Sequence, residues 1–426
     1  MVAERKGAFG IGGAILFVLA GLGICLALYR FATGLGAVTN LNQGYPWGLW
    51  IGFDILAGIA LAAGGFVVGG LMHMFGGEKY EPLVRPTILT AFLGYLLFIV
   101  ALLVDLGRPW TIWHMIIMWH HESPMFEVGW CVMLYTTILL VEFLPVVFER
   151  FHMTGLYKVW KYSAPWVAIA LLTLFAIALT QSVPWVIGIA VVLILFQLSV
   201  EVGATYRHPK MPTMLLMAGI IFSTLHQSSL GTLFLMVPHK LHVIWYSPLL
   251  PVFFFVSAVA TGLAMAIFES ILSARFFGRK VETDLLRSVG RFLSWAIICY
   301  LGLRGVDLIV RGVGSELLVR TPQCAAFWIE IVVGSLIPLA ILLTPELVKS
   351  ATWLFSASLM VIVGLIVNRL NVAWVGITSR YEVAYYPHWM EIAITVGIVS
   401  AGVLVFVFVC RHFPIFSDER SPTGAR

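Results

Sequence analysis

Charge is what this 426-residue sequence has least of: 11% of its residues are Asp, Glu, Lys or Arg, 60% are hydrophobic, and the mean hydropathy is +0.97. A soluble globular domain carries roughly twice that charged fraction, so the composition excludes one and indicates a polytopic membrane protein. Long polar stretches are missing too; the longest is "ARFFGRKVETDLLRSVGR" at 274–291, a loop rather than a domain. The five cysteines (Cys25, Cys131, Cys299, Cys324, Cys410) contain no C-x-x-C pair. That spacing excludes an iron–sulfur cluster in this chain and a disulfide framework, and leaves the thiols as small packing residues. There is no G-x-x-x-x-G-K-[ST] phosphate loop, and nothing points to nucleic acid as a partner. Of eleven histidines only His226 falls clearly within an apolar run. Haem held between two axial histidines is therefore not expected, and no metal site is either.

What is present is a series of apolar runs of membrane-spanning length. They predict about twelve helices, at 11–30, 49–73, 86–106, 125–148, 164–182, 184–202, 212–236, 248–273, 288–310, 326–344, 350–369 and 389–411. The pair 164–182 and 184–202 is divided only by "QSVPW"; an irregular segment there would reduce the count to ten. The first run follows the basic "MVAERKGAFG" and ends "LALYRF" without a small-x-small cleavage site, so it reads as a retained helix. With the N-terminus inside, 18 of the 26 basic residues fall in inner segments and 7 in outer ones, the asymmetry the positive-inside rule demands. Both termini are expected in the cytoplasm.

The outer segments differ in kind from the inner ones. "NLNQGYPWGLW", "LGRPWTIWHMIIMWHHESP", "VPHKLHVIWYSP" and "TSRYEVAYYPHW" concentrate Trp, Tyr, His and Pro, which suits chemistry or docking on that side; "WHH" at Trp119–His121 is better read as docking surface than as a metal site. Two of these loops match: Gly107 and Ser123 are separated by 16 residues, as are Gly231 and Ser247, and each loop precedes a helix ending in an acid, Glu149 or Glu269. The match predicts two four-helix bundles related as a parallel repeat, plus extra helices. The expected layout is one integral membrane domain over 1–426, with a first bundle at 40–150, an inserted helix pair at 151–211, a second bundle at 212–310 and additional helices at 311–426.

Several polar residues fall at one depth near the outer face. Asp54 lies roughly 7 Å past Leu49 at the helical rise, Asp105 and Arg108 end the next run, Glu127 starts the fourth and His226 sits in the outer half of the seventh. An acid inside an apolar span is costly unless paired, protonated or facing a cavity, so it marks a functional site by default. With Tyr45, Trp47 and Trp50 as walls, these groups would form an aromatic pocket that suits a quinone: donors for the carbonyls, a proton-exchanging group, and an apolar exit for the tail. Asp105 and Arg108 would also form an ion pair with each other. Acids at other depths, Glu142, Glu269, Asp307 and Glu330, outline a proton route from the inner face.

The motifs then become recognisable. "DLGRP" at Asp105–Pro109 with "SPM" at Ser123–Met125 resembles the NrfD/polysulfide reductase membrane-subunit family. "NLNQGYPWGLWIGFD", "YEPLVRP", "LHQSSLGTL", "FWIE" and "YYPHWME" are similar to the HybB-type membrane subunits of hydrogenase-2-like complexes. The resemblance implies a haem-free subunit of two bundles that binds menaquinone or ubiquinone on the periplasmic side. It also implies electron exchange with a docked ferredoxin-like iron–sulfur subunit, with hydrogenase or multihaem cytochrome subunits beyond. The segment Phe151–Met211 departs from the hydrogenase-type pattern and leaves the electron donor open. A secondary transporter and a purely structural membrane anchor are the rival classes.

Overall fold

The computed structural model describes residues 10–74, 77–202, 212–377 and 384–416. The basic residues Arg5, Lys6, Arg207, Lys210, Arg380, Arg420 and Arg426, counted above for orientation, lie outside that range. Twelve helices among the described residues are long and apolar enough to cross a bilayer: α1 (Ile11–Thr33), α2 (Trp50–Leu71), α3 (Glu81–Asp105), α4 (Pro124–Arg150), α5 (Thr154–Thr180), α6 (Val183–Val202), α7 (Thr213–Leu235), α8 (Leu250–Phe277), α9 (Thr283–Val310), α10 (Pro322–Leu343), α11 (Ala351–Val375) and α12 (Trp389–His412). The chain is a multi-pass, all-α membrane protein.

The doubtful pair resolves into two full spans. Gln181 takes a left-handed conformation (φ 47°) and its amide closes on the Ile177 carbonyl, which ends α5. Pro184 then falls in the first turn of α6, where its missing N–H costs nothing. "QSVPW" is thus a turn and not a kink. Several helices also begin earlier than their apolar runs, α5 at Thr154 rather than 164 and α9 at Thr283 rather than 288. Hydropathy marks the hydrocarbon, whereas the hydrogen-bonded helix continues through the polar interface.

Because consecutive spans alternate, the described Trp- and His-rich loops gather at one end of the molecule, the aromatic end, and the Lys- and Arg-rich loops at the other, the basic end. By contact, α2, α3, α4 and α7 form one ring of four and α8, α9, α10 and α11 a second, with α8 packed on both α2 and α7 where the rings meet. The helix α7 thereby joins the helices of 40–150, although the chain reaches it only after α5 and α6. Outside the rings, α1 packs on α12, α12 on α3, and α5 on α4 and α7, with α6 against α5. Small residues let backbones meet, as expected where lipid supplies no hydrophobic drive. A methyl group on Gly364 of α11 would stand 2.1 Å from the Gly334 Cα of α10.

Candidate functional site

The first site element is a distortion of α2. Its opening stretch, Trp50–Ala57, is wound as a π-helix, a form that recurs at functional sites. This places Asp54 on the buried side of the helix, where its Oδ2 accepts a hydrogen bond from Thr395 Oγ1 of α12 at 2.7 Å. Asp105, ending α3, lies within electrostatic range of Asp54, Arg30 and Glu391. Arg30, near the end of α1, is buried and donates to the Leu106 carbonyl. Four helices therefore bring three acids and one arginine together at the aromatic end.

The expected Asp105–Arg108 ion pair is not formed. Arg108 is exposed, with its carbonyl accepting from Thr111, and the cation facing Asp105 is Arg30. The reason is local: Leu106 takes an extended backbone (ψ 127°) that ends the helix, so Arg108 leaves the α3 surface.

An aromatic wall stands beside this cluster. Asn42 closes a tight turn by accepting from the amides of Gly44 and Tyr45, which directs Tyr45 onto Tyr385 with rings stacked at 6.2 Å. Trp47 meets Phe234 of α7 edge-on at 5.0 Å. The Trp50 indole donates to the Glu391 carbonyl at 3.1 Å and is buried. Gly48 leaves the space that the Tyr385 ring fills: a Cβ there would come within 2.4 Å of it. Burial and the hydrogen bond to Glu391 push the Tyr385 phenol well up from its ordinary range.

His226 stands apart from that cluster. It is fully buried between α7 and α3, with Nδ1 bonded to Tyr95 OH at 2.8 Å, Phe98 packed edge-on, and Nε2 without a partner. Gln227 Oε1 is likewise buried without a partner, so the interior of the first ring has polar positions for water. One turn beyond His226 toward the aromatic end, Ser229 donates to Glu127 at 2.5 Å.

The four deeper acids divide into two pairs. Glu142 and Glu269 each lie roughly 12 Å from the basic end. Glu142 faces Gly219 of α7, where a methyl would be 3.1 Å from its Oε1; Glu269 accepts from Thr90 at 2.6 Å and has its second oxygen unpartnered. Asp307 and Glu330 occupy the aromatic half of the second ring. Asp307 accepts from Ser247 at 2.6 Å and pairs with Arg311 at 2.7 Å. Glu330 accepts from Trp245, Tyr300, Asn368 and Asn371, beside a cavity of about 30 Å³ lined also by Ser257 and Thr261. No cluster of three metal-ligating side chains occurs among the described residues.

Sequence reasoning missed Arg30, Thr395, Tyr385 and Glu391. Glu391 carries the same signal that drew attention to Asp54, an acid just inside an apolar run. Arg30 is one of the seven basic residues that fall in outer segments, and nothing local in "ALYRF" says that it turns inward.

Comparison with known proteins adds the family context. A family model described as "Polysulphide reductase, NrfD" matches residues 37–379. A Nitratidesulfovibrio vulgaris chain described only as "Protein" is 33% identical over 419 residues, covering 96% of this chain and 95% of its own. The "Probable Ni/Fe-hydrogenase 2 b-type cytochrome subunit" of Escherichia coli is 29% identical, covering 92% of this chain and 89% of its own. The "Menaquinone reductase, integral membrane subunit" of Nitratidesulfovibrio vulgaris is 26% identical, with 95% and 91% covered.

Proposed function

We propose, from the premise that this chain belongs to the polysulphide reductase (NrfD) family, that it is the quinone-binding membrane subunit of a respiratory oxidoreductase complex. The observation that carries the reading is Asp54: a buried acid with one hydrogen-bond donor and no cation of its own, beside an aromatic wall at the end of an apolar span. Glu391 accepts from several donors and Asp105 faces the Arg30 guanidinium, so each has partners of its own. Asp54 is the acid left free to exchange a proton.

In this reading the quinone ring lies against Trp47 and Trp50, with Tyr45 and Asp105 as further binding residues, whereas the exposed Arg108 and the enclosed His226, both expected there from the sequence, stand outside it. Menaquinone is the favoured species, in keeping with the printed name of one relative. Two electrons arrive from, or leave to, an iron–sulfur subunit docked at the aromatic end. Exposed Trp110, Trp113 and Ile117 offer that subunit an apolar surface. Hydrogenase or multihaem cytochrome subunits lie beyond it. For each two-electron reduction two protons are taken up, one of them delivered by Asp54 to a quinone oxygen; quinol oxidation runs the same transfers backwards.

Haem is not part of the reading. His226 is the buried histidine within a span among the described residues, and its ring is enclosed by Tyr95 and Phe98, with no second histidine opposite. The basic end is assigned to the cytoplasm of a bacterial inner membrane. Protons for charge translocation would enter there through Glu142 and Glu269, with Asp307 and Glu330 as the remaining acids of the route. The layout of the chain follows the rings: α2–α4 with α7, then α8–α11, with α5 and α6 as an inserted pair.

Purification from native membranes in mild detergent, with quinone, iron and haem analysis, tests the reading. Co-purification of a quinone and an iron–sulfur protein is expected. A lone, quinone-free chain would instead favour a transporter.

A further inference from the structure

One carboxylate organises the loop that forms the aromatic wall. Glu391 lies in the first turn of α12, and the bond from the His388 amide to its Oε1 at 2.9 Å is an ordinary capping-box contact. Capping accounts for nothing else that it does. The same Oε1 accepts from the amide of Asn40, 351 residues away in sequence, at 3.0 Å. Its Oε2 accepts from Tyr385 OH, and that phenol oxygen accepts in turn from the Leu49 amide at 3.0 Å. Its backbone carbonyl takes the Trp50 indole. A cap residue normally sits in solvent, whereas Glu391 is fully buried.

The segment 40–49, which carries Tyr45 and Trp47, is thus tied at both ends to one side chain: at Asn40 directly and at Leu49 through Tyr385. We propose that Glu391, acting through Tyr385, is the positioning residue of the quinone site, fixing the 40–49 loop and Trp50 as one unit against which the quinone ring lies. The proposal rests on the quinone reading for its ligand, and on hydrogen-bond geometry alone for the clamp. A carboxylate suits the post, since its two oxygens take the three donors, the Asn40 and His388 amides and Tyr385 OH.

The test uses the full chain in lipid nanodiscs, titrated with a short-chain naphthoquinone and read by quenching of tryptophan emission. A nitroxide on Gln43→Cys, an exposed position in the loop, reports loop mobility separately. Losing the tether should weaken binding about tenfold in E391A and Y385F, as for one or two lost hydrogen bonds, and sharpen the nitroxide spectrum in both. E391Q keeps an acceptor for the Asn40 and His388 amides and should bind within about threefold of wild type. The double variant should be no weaker than E391A, because both changes cut the same link. Binding by Y385F within twofold of wild type with an unchanged nitroxide spectrum overturns the clamp, as does a double variant showing the product of the single effects. Should E391A not fold, Y385F and E391Q decide the matter. Failure of the wild-type chain to bind the naphthoquinone would count against the function and not the clamp, which the nitroxide spectra still judge.

Discussion

Replacing Asp54 with Asn separates proton exchange from geometry. Asn has the size of Asp, and its Oδ1 can still accept from Thr395, whose Oγ1 lies 2.7 Å from the native carboxylate. The π-turn and the aromatic wall should therefore persist, and quinone affinity should change by no more than about threefold, a fraction of one hydrogen bond. The exchangeable proton is gone. Positioned acid–base groups contribute about 100- to 10,000-fold, so turnover should fall at least ~100-fold, equivalent to about 2.7 kcal/mol of barrier. Thr395→Val supplies the contrast: it keeps the carboxylate and removes one hydrogen bond, worth about 1 kcal/mol, or roughly fivefold. The assay is quinol-driven dye reduction by the intact complex, with quinone affinity measured on the same preparation. D54N turnover within threefold of wild type, at unchanged affinity, would refute the assignment of Asp54.

Other consequences are as direct. Glu142→Gln should abolish charge translocation while sparing dye-linked electron transfer; unchanged proton uptake in proteoliposomes counts against the route through the first ring. Gly364→Ala puts a methyl 2.1 Å from the Gly334 Cα, so α10 and α11 must separate, at a cost of about 1–3 kcal/mol, seen as a lower melting temperature in detergent. His242, in the loop between α7 and α8, is held below its ordinary pKa by burial, with Glu316 opposing, and its Nδ1 accepts from the Ile244 amide. A depressed pKa favours the neutral ring, so this contribution is complete above about pH 6.5, the unfolded value, and declines as pH falls toward the lower folded value. Hydrogen exchange of the Ile244 and Trp245 amides should accelerate on acidification through that window. His242→Asn should remove the pH dependence.

The spans were legible because hydrocarbon thickness leaves a plain mark on composition, and a run of about twenty apolar residues admits few other readings. Their ends were less so. Thr154–Ser163 contains two lysines and two tyrosines, and hydropathy stops where the helix does not. Which helices meet was harder still. Nothing in Thr213–Leu235 announces that it closes the ring begun by α2–α4, because partner choice rests on small residues and half-buried polar pairs such as Ser229–Glu127, each with counterparts elsewhere in the chain.

The site divides along the same line. Asp54 could be suspected from its own neighbours, since a lone acid in an apolar run is anomalous wherever the run packs. Its compensation could not, because the responsible groups lie far off in the chain: Thr395 is 341 residues away. Sequence proximity suggested Arg108 as the partner of Asp105, three residues on and one helical turn away. That inference assumes the helix continues, and the extended backbone at Leu106 removes the assumption. Arg30 then holds the position because α1 ends at the same level and its guanidinium donates to the Leu106 carbonyl, next to Asp105. A buried acid is visible one residue at a time, whereas its counter-charge is a property of packing. That is why the aromatic half of this protein could be proposed as the site from its sequence, whereas the groups that govern its charge could not be named.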